Sequence, residues 1–417
     1  MSYPAPIFSW HANSKQLHPL MAFSRASQAT EIDGSGLLRT VNAGVPRFEH
    51  DPLTGICKGL LVEPSVTFLD TNSEQLDSAS WAKNHLSVTP NATTAPDGAT
   101  TADKLYEDTA ATAQHAVWLP NYSATNVTLT GQVCVKAAER TQITIYVSNG
   151  TTHFLGASFD LATGLFIAQR VYGSGDYSGL TYTIEKLPGG YYLISITLNK
   201  SAVNSNNIFT IELMKDSNAN YTGDGVSGLY IWGAKFYAGT GPTSYLPTTA
   251  AGVTRAADLC TVDVTQLKRN GNALWSGKEG TLVVEFQRKI NVQAGSYPGV
   301  CSLNTDSSNR ISILLNGDSQ TVGCSARNSS GWQASLIAGA FAKGSPGKVA
   351  FAFASSDFAT AMNGTIGQKS TSGVLPSVTT LNVGFDGISN YLNGTVKSLK
   401  LYNRRIADAD LVALSSL

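Results

Sequence analysis

Period-two alternation of apolar and polar residues dominates this 417-residue chain. Runs of it cover residues 127–136, 142–147, 191–198, 208–214, 282–286, 310–315, 349–353 and 395–402. That spacing puts successive side chains on opposite faces of an extended strand, so each run predicts a strand with one face buried. Between the runs stand Asn-Gly pairs at Asn149, Asn270, Asn316, Asn363 and Asn393, and Asp-Gly pairs at Asp33, Asp97, Asp224 and Asp386. These residues tolerate the positive φ of tight hairpins. Helical spacing is scarce: a turn or two near 73–81, and the tail 407–414. The pattern predicts an all-β chain of two antiparallel β-sandwiches, or jelly rolls.

The main break is GTGPTSYLPTTAAGVTRAAD at 239–258, rich in Gly, Pro and Thr between strand patterns. It divides one sandwich at 69–238 from another at 257–417, with 239–256 as the linker. Residues 1–68 stand apart, because their apolar residues come in ones and twos between glycines and prolines. Such a segment has little core of its own, so it must lie against a following domain or a neighbouring subunit. No internal repeat, low-complexity tract or sustained heptad pattern occurs.

Composition narrows the function classes. Lys plus Arg number 29, as do Asp plus Glu, and no basic block stands out. The long-range field that nucleic-acid binders use is therefore missing. The N-terminus MSYPAPIFSWHANSK lacks the basic start and apolar stretch of a secretory signal, and no apolar run is long enough to insert in a membrane. Without that route, the Asn-x-Ser/Thr triplets at Asn121 and Asn393 are by-products of Asn- and Thr-rich strands. Cys57, Cys134, Cys260, Cys301 and Cys324 are scattered in apolar contexts, and read as small buried hydrophobes.

The stretch FSRASQATEIDGSGLLRTVNAGVPRFEHDPLTGICKGLLVEP at 23–64 resembles a segment near the N-terminus of many tailed-bacteriophage virion proteins. The resemblance implies a virus particle as the location, synthesis in the host cytoplasm, and residues 1–68 as an attachment segment that grips other virion proteins. The stretches TNSEQLDSASWAKNHLSVTPNATTAPDGATTADKLYED and LYIWGAKFYAGTGPTSYLPTT resemble the two ends of phage-associated modules related to carbohydrate-binding jelly rolls. Here Lys235 replaces the usual glutamine, and Phe236 and Tyr237 replace an aliphatic and acidic pair. The stretch LNVGFDGISNYLNGTVKSLKLYNRRIADADLVALS resembles the closing strands of concanavalin A-like (laminin-G or pentraxin-like) lectin sandwiches. In it Val396, Leu399 and Leu401 are expected to face inward while Lys397 and Lys400 stay wet.

Catalytic motifs are missing. All six histidines precede residue 154, which excludes a His-based site wholly within 257–417. His115 reads as structural, and no phosphate-binding glycine loop occurs. Close acidic pairs are few, Glu107/Asp108 and Asp408/Asp410 among them, a poor basis for the opposed carboxylates of a glycosidase. Sugar binding asks for less: an exposed aromatic face with Asn, Asp or Gln nearby. The candidates are Trp81, Trp118 with Tyr122, Trp275, Trp332, Tyr391 and Asn390. A lone tryptophan is by default core, as Trp232 is expected to be. Trp118 and Tyr122 flank a Pro-Asn turn and Trp332 sits in NSSGWQ, so those three are expected at the surface. Calcium is the one cofactor considered, with oxygen ligands from Asp306 and Asn309 in NTDSSN and Asp386 in DGISN, although these are also ordinary hairpin residues.

The combined expectation is a tail-fibre or tailspike-type adhesion protein that binds host-surface polysaccharide without cleaving it. By analogy with phage fibres it would be a homo-oligomer, a trimer. Two alternatives stay open: a purely structural decoration or head fibre, and a polysaccharide depolymerase or esterase.

Overall fold

The computed structural model describes residues 4–119, 122–288, 290 and 294–417. It is all-β, and each of the eight strands expected from alternation is present, usually a residue or two longer. Helix Asp408–Leu414 closes the chain, while residues 73–81 form consecutive turns rather than helix. Asn270-Gly271 and Asn363-Gly364 each take two successive positive φ values, and each joins the paired strands of a hairpin.

The central sandwich is built from contiguous sequence. One sheet runs in the order Tyr177–Lys186, Tyr191–Lys200, Val127–Ala137, Gly228–Ala238, Ala102–Glu107, Leu86–Thr93. The facing sheet runs Leu165–Tyr172, Phe154–Asp160, Gln142–Ser148, Asn206–Met214, Ala116–Trp118, Ala82–Asn84. Their inner residues, among them Val133, Ile145, Ile196 and Phe209, form one dry cluster.

The second sandwich is not contiguous. Its seven-stranded sheet runs Met21–Ser24, Leu259–Asp263, Thr380–Val383, Gly299–Asn304, Arg310–Asn316, Thr321–Asn328, Gly331–Ala340. Its eight-stranded sheet runs Thr365–Ser370, Asp357–Met362, Pro346–Ala354, Glu279–Gln287, Gly394–Tyr402, Cys57–Val62, Phe48–His50. Strand Phe8–His11 also pairs with Gly394–Tyr402, beside Cys57–Val62. The boundary expected after residue 68 therefore runs through shared sheets. Phe8, Trp10, Phe48, Leu60 and Val62 lie in the same core cluster as Leu399 and Leu401. The segment lacks a core of its own because its core is that of residues 257–417. His11 and His50 come with it, so the histidine-free description holds for that stretch of sequence and not for the folded sandwich.

Local features of the segment follow from this docking. Gly59, in the GLL of the motif, has φ +133°, and a Cβ there would meet the Val396 carbonyl oxygen at 2.4 Å. The strand Gly394–Tyr402 changes phase where it passes, with a register shift opposite Glu285/Phe286. That irregularity explains how Val396, Leu399 and Leu401 are all buried at a spacing of three and then two. Lys397 and Lys400 remain half-exposed.

The motif residues themselves converge on a buried charge cluster. Arg25, Arg47 and Arg255 meet Glu63 and Asp258, and the side chains of all five are essentially removed from solvent. Arg47 Nη2 lies 2.7 Å from Glu63 and 2.5 Å from Asp258, and Arg25 Nη1 donates to Asp258 at 3.1 Å. Glu63 also accepts from the Ser244 backbone N–H at 2.8 Å and from the Thr243 hydroxyl at 2.8 Å. Three guanidiniums share two carboxylates, and their proton affinities divide accordingly. Burial opposes the charge of Arg47, but Glu63 and Asp258 more than restore it. Burial lowers Arg25 and Arg255, and neighbouring Arg47 lowers both further. FSRAS, VPRFEHDP, GLLVEP and the linker thus form one polar knot.

The linker is correspondingly ordered. Thr243, Tyr245, Leu246 and Thr248 are buried, and Val253–Arg255 pairs with Val66–Phe68. Lys235, the departure noted in the closing strand of the central sandwich, is fully buried with its Nζ 3.2 Å from the Phe68 ring centroid and 4.3 Å from that of Tyr245. Burial pushes its ammonium pKa well down, with Asp70 partly opposing the shift. Cys134, Cys260, Cys301 and Cys324 are buried free thiols, with Cys260 pushed up to about 12 by burial, while Cys57 is half-buried.

Candidate functional site

The face of the seven-stranded sheet turned away from the core carries the densest set of expected site residues. On strand Arg310–Asn316, Ile311, Ile313 and Leu315 enter the core, so Arg310 and Ser312 project the other way. On Thr321–Asn328 the core takes Val322, Cys324 and Ala326, leaving Ser325 and Arg327 outside. Strand pairing aligns these side chains in two transverse rows. One is Asn304–Arg310–Arg327–Trp332, and the other is Asn382–Ser302–Ser312–Ser325–Ser335. With strands about 4.8 Å apart, four positions in register span roughly 14 Å.

Trp332 reaches this face through an irregularity. Alternation back from the core residues Leu336 and Ala334 would point it inward. A register shift at Ala326/Arg327 instead sets Trp332 opposite Arg327, and the indole is 55% exposed. The Arg310 and Arg327 guanidinium carbons lie 5.5 and 5.4 Å from its ring, within cation–π range.

Beneath this layer the floor is small and polar. The Ser312 and Ser325 hydroxyls are buried without a hydrogen-bond partner among the described residues, as are the Nε atoms of Arg310 and Arg327. Asn382 Nδ2 donates to Asn304 Oδ1 at 2.7 Å and to the Ser302 hydroxyl at 3.1 Å. The loop 386–390 closes one side. Asp386 Oδ1 accepts the backbone N–H groups of Ile388, Ser389 and Asn390 at 2.9–3.0 Å, and Oδ2 accepts Asn390 Nδ2 at 2.7 Å. Gly387 sits at φ +80° against Asn304 and Asn382, where a Cβ would approach their Nδ2 atoms to 2.4 and 2.6 Å. Tyr391, half-buried, stacks on Phe385 at 5.4 Å and bridges back to Gly299.

Of the expected sugar-binding residues, the structure places Trp332 and Asn390 on or beside this face, packs Tyr391 on Phe385 against the sandwich core, and leaves the others elsewhere. Trp81 has no face to offer: it is buried in the central core and its Nε1–H donates to the Asn72 carbonyl at 3.1 Å. Tyr122 packs edge-on against Phe236, and Trp118 is half-buried on an inner strand beside it; the Pro120-Asn121 turn between them lies outside the described residues, as does the glycosylation triplet's Asn121. Trp275 packs against Phe353 and Trp232 is core. Arg310, Arg327, Ser312 and Ser325 were missed. Their signal was present in the polar alternate positions of RISILLN and TVGCSARN.

The residues expected as calcium ligands sit in two loops. Asp306 accepts the N–H groups of Ser308 and Asn309 at 2.7 and 2.8 Å and Asn309 Nδ2 at 3.0 Å, and Asp386 is held by its own turn. Both carboxylates are engaged by N–H donors, the ordinary work of such residues in tight loops. Among the described residues no group of three or more His, Cys, Asp or Glu is placed to hold a metal ion. The acidic pairs are likewise engaged. Glu107 binds Arg140 and the Tyr221 hydroxyl, and Asp408 binds Lys369 and Arg405. His115 is buried between the carbonyls of His85 and Tyr221.

A separate cleft of about 310 Å³ opens where the two sandwiches and the N-terminal segment meet, lined by Glu31, Ile32, Leu38, Glu185 and Tyr245 among others. Lys58 at its wall lies 3.2 Å from Asp51 and 3.6 Å from Glu185. Its walls belong to the segments knotted by the buried charge cluster.

No protein-family model matches the chain, and no curated protein matches it. Among solved structures it is similar to the Ruminococcus gnavus IT-sialidase CBM40 bound to α2,3-sialyllactose, at 14% identity and a TM-score of 0.29 over 33% of this chain and 83% of that one. It is similar to the mouse laminin α1 chain domains LG4-5 at 10% identity and a TM-score of 0.26, covering 73% of this chain and 90% of that one. It is also similar to Trypanosoma rangeli sialidase in complex with the inhibitor DANA, at 10% identity and a TM-score of 0.31, over 75% of this chain and 60% of that one.

Proposed function

We propose that this chain is a glycan-binding adhesion protein that holds its ligand on the outer face of the seven-stranded sheet and does not cleave it. The observation that carries this reading is the exposed Trp332 flanked by Arg310 and Arg327 over the unpartnered hydroxyls of Ser312 and Ser325. An indole face suits the apolar C–H patches of a sugar ring, and the flanking guanidinium donors suit its polar edge. The carboxylate at this face, Asp386, is committed to four N–H donors, which favours holding over hydrolysis.

The proposed setting is the exterior of a bacteriophage particle, supported by the resemblance of residues 23–64. The glycan is then a host-surface polysaccharide, and a trimeric assembly would raise avidity by presenting several weak sites together. Residues 8–62 pair into the sheets of this chain, with Met21–Ser24 and Phe48–His50 at sheet edges, and contact with other virion proteins is assigned to the exposed turns, where Leu53 and Ile56 project.

The test is binding of the full-length chain to host cells and their extracted surface polysaccharide. Saturable binding, lost in Trp332→Ala at unchanged melting temperature and with no oligosaccharide released, is the expected result. Undiminished binding by a folded Trp332→Ala chain removes this face from the function, and release of oligosaccharide makes the protein an enzyme.

A further inference from the structure

We infer that the glycan taken by this face is acidic, with a sugar carboxylate seated between Arg310 and Arg327 beside Trp332. The inference rests on the glycan-binding reading and names the ligand class within it.

The argument begins with charge accounting. Arg310 and Arg327 are directly opposed in register on neighbouring strands, where like charges repel. The carboxylate nearest them is Asp386, 3.9 Å from Arg310 Nη1, and both of its oxygens already accept N–H groups of its own loop. Among the described residues Arg327 has neither an ion pair nor a hydrogen bond, only the indole face. Burial, with Arg327 nearby, lowers the Arg310 pKa, while Asp386 partly restores it. Two half-buried guanidiniums with idle donors thus converge on one aromatic ring.

Ligand chemistry follows from donor geometry. A planar guanidinium presents paired N–H groups that match a planar carboxylate. A saccharide carrying that carboxylate on its ring puts a hydrophobic sugar face over Trp332 at the same time. Ser312, Ser325 and Asn304 lie beneath as a small polar floor, their positions fixed by strand pairing. A neutral glycan would leave both guanidiniums uncompensated and compete with water for them.

The test uses the full chain and a panel of acidic oligosaccharides, with uronic and sialic types as separate arms, each paired with its carboxyl-reduced, neutral counterpart. Binding by calorimetry is expected for at least one acidic member, weakened about tenfold or more by carboxyl reduction, as for a lost charge-assisted contact. Arg310→Gln and Arg327→Gln should each bring the acidic and reduced forms to similar affinity, and Arg327→Lys should fall between. The Arg327 variants carry the test alone if Arg310→Gln lowers the melting temperature. Equal affinity for acidic and reduced forms, still dependent on Trp332, overturns this inference and leaves glycan binding standing. Binding of neither form, with host polysaccharide also unbound, overturns both.

Discussion

Two arginine sets in this chain show how the same side chain is put to opposite uses. Arg25, Arg47 and Arg255 are withdrawn from solvent and matched by Glu63 and Asp258 at 2.5–3.8 Å. Arg310 and Arg327 lie on an open sheet face with one distant, already engaged carboxylate. A buried charge left without its partner is costly, so the first set fixes which segments meet. Partly exposed guanidiniums can remain unpaired at modest cost, and in the proposed function the second set supplies donors to a ligand. What separates the two sets is the presence of carboxylates and not the presence of arginines.

The largest effect should come from removing the segment that brings two of the three buried arginines. Deleting residues 1–62 takes away Phe8–His11, Met21–Ser24, Phe48–His50 and Cys57–Val62, four strands of the second sandwich. The truncated chain is expected to lose the cooperative unfolding of that sandwich while the central one still folds, read by calorimetry as one transition lost and one kept. A truncated chain with both transitions intact would return the segment to a dispensable arm. For the same reason a fragment of residues 257–417 is not a fair vehicle for binding assays.

Next come single changes within the knot. Arg47→Ala breaks the ion pairs to both Glu63 and Asp258, and Asp258→Asn leaves buried guanidiniums uncompensated; each should cost about 3–5 kcal/mol in chemical denaturation. A cost below about 1 kcal/mol would mean that water already enters the cluster. Two of the tryptophans offered by the sequence as sugar platforms make a parallel pair. Trp81→Ala should cost about 3–5 kcal/mol through the cavity it leaves, whereas Trp332→Ala should stay within about 0.5 kcal/mol and remove ligand binding.

The sequence carried the strands well and the candidate site in part, for physical reasons. Val133, Ile145, Leu399 and their neighbours alternate because each sheet has one dry face, and that periodicity survives in one dimension. Phe8–His11 and Phe48–His50 are too short to show it, and the partner of the first lies at Ser398–Leu401, far along the chain. Trp332 was legible from its turn-like surroundings, and Asn390 and Tyr391 from their loop. Arg310 and Arg327 were legible only as polar positions on strands, because their meeting depends on register and on the irregularity that turns Trp332 outward.

Acid should act on the first arginine set through Glu63. Burial raises the Glu63 carboxyl pKa, but Arg255, Arg47 and the Ser244 contacts outweigh it and hold the group well below the usual carboxylate range. A depressed folded-state pKa contributes stability that is full above the unfolded value, about 4.3, and is lost as pH falls toward the folded one. Below about pH 4 the unfolding free energy should therefore drop by up to about 1.4 kcal/mol per pH unit from this group. Glu63→Gln, less stable at pH 7, should show a shallower slope, and an unchanged slope would assign acid sensitivity to other carboxylates.

The smallest effect is the most discriminating, because its sign reverses between the two sets. Without ligand, Arg310 and Arg327 repel across adjacent strands, and like charges directly opposite cost a few tenths to about 1 kcal/mol. Arg327→Gln should therefore leave stability unchanged or raise it by a few tenths of a kcal/mol, where every arginine removed from the buried knot lowers it. Added salt should shrink that gain by screening the pair, since both guanidiniums are partly exposed. A saturating acidic oligosaccharide should reverse the order, making the unsubstituted chain the more stable because only it binds tightly. If Arg327→Gln instead destabilises the ligand-free chain by more than about 1 kcal/mol, Arg327 has a structural role after all. The two arginine sets would then differ in exposure alone.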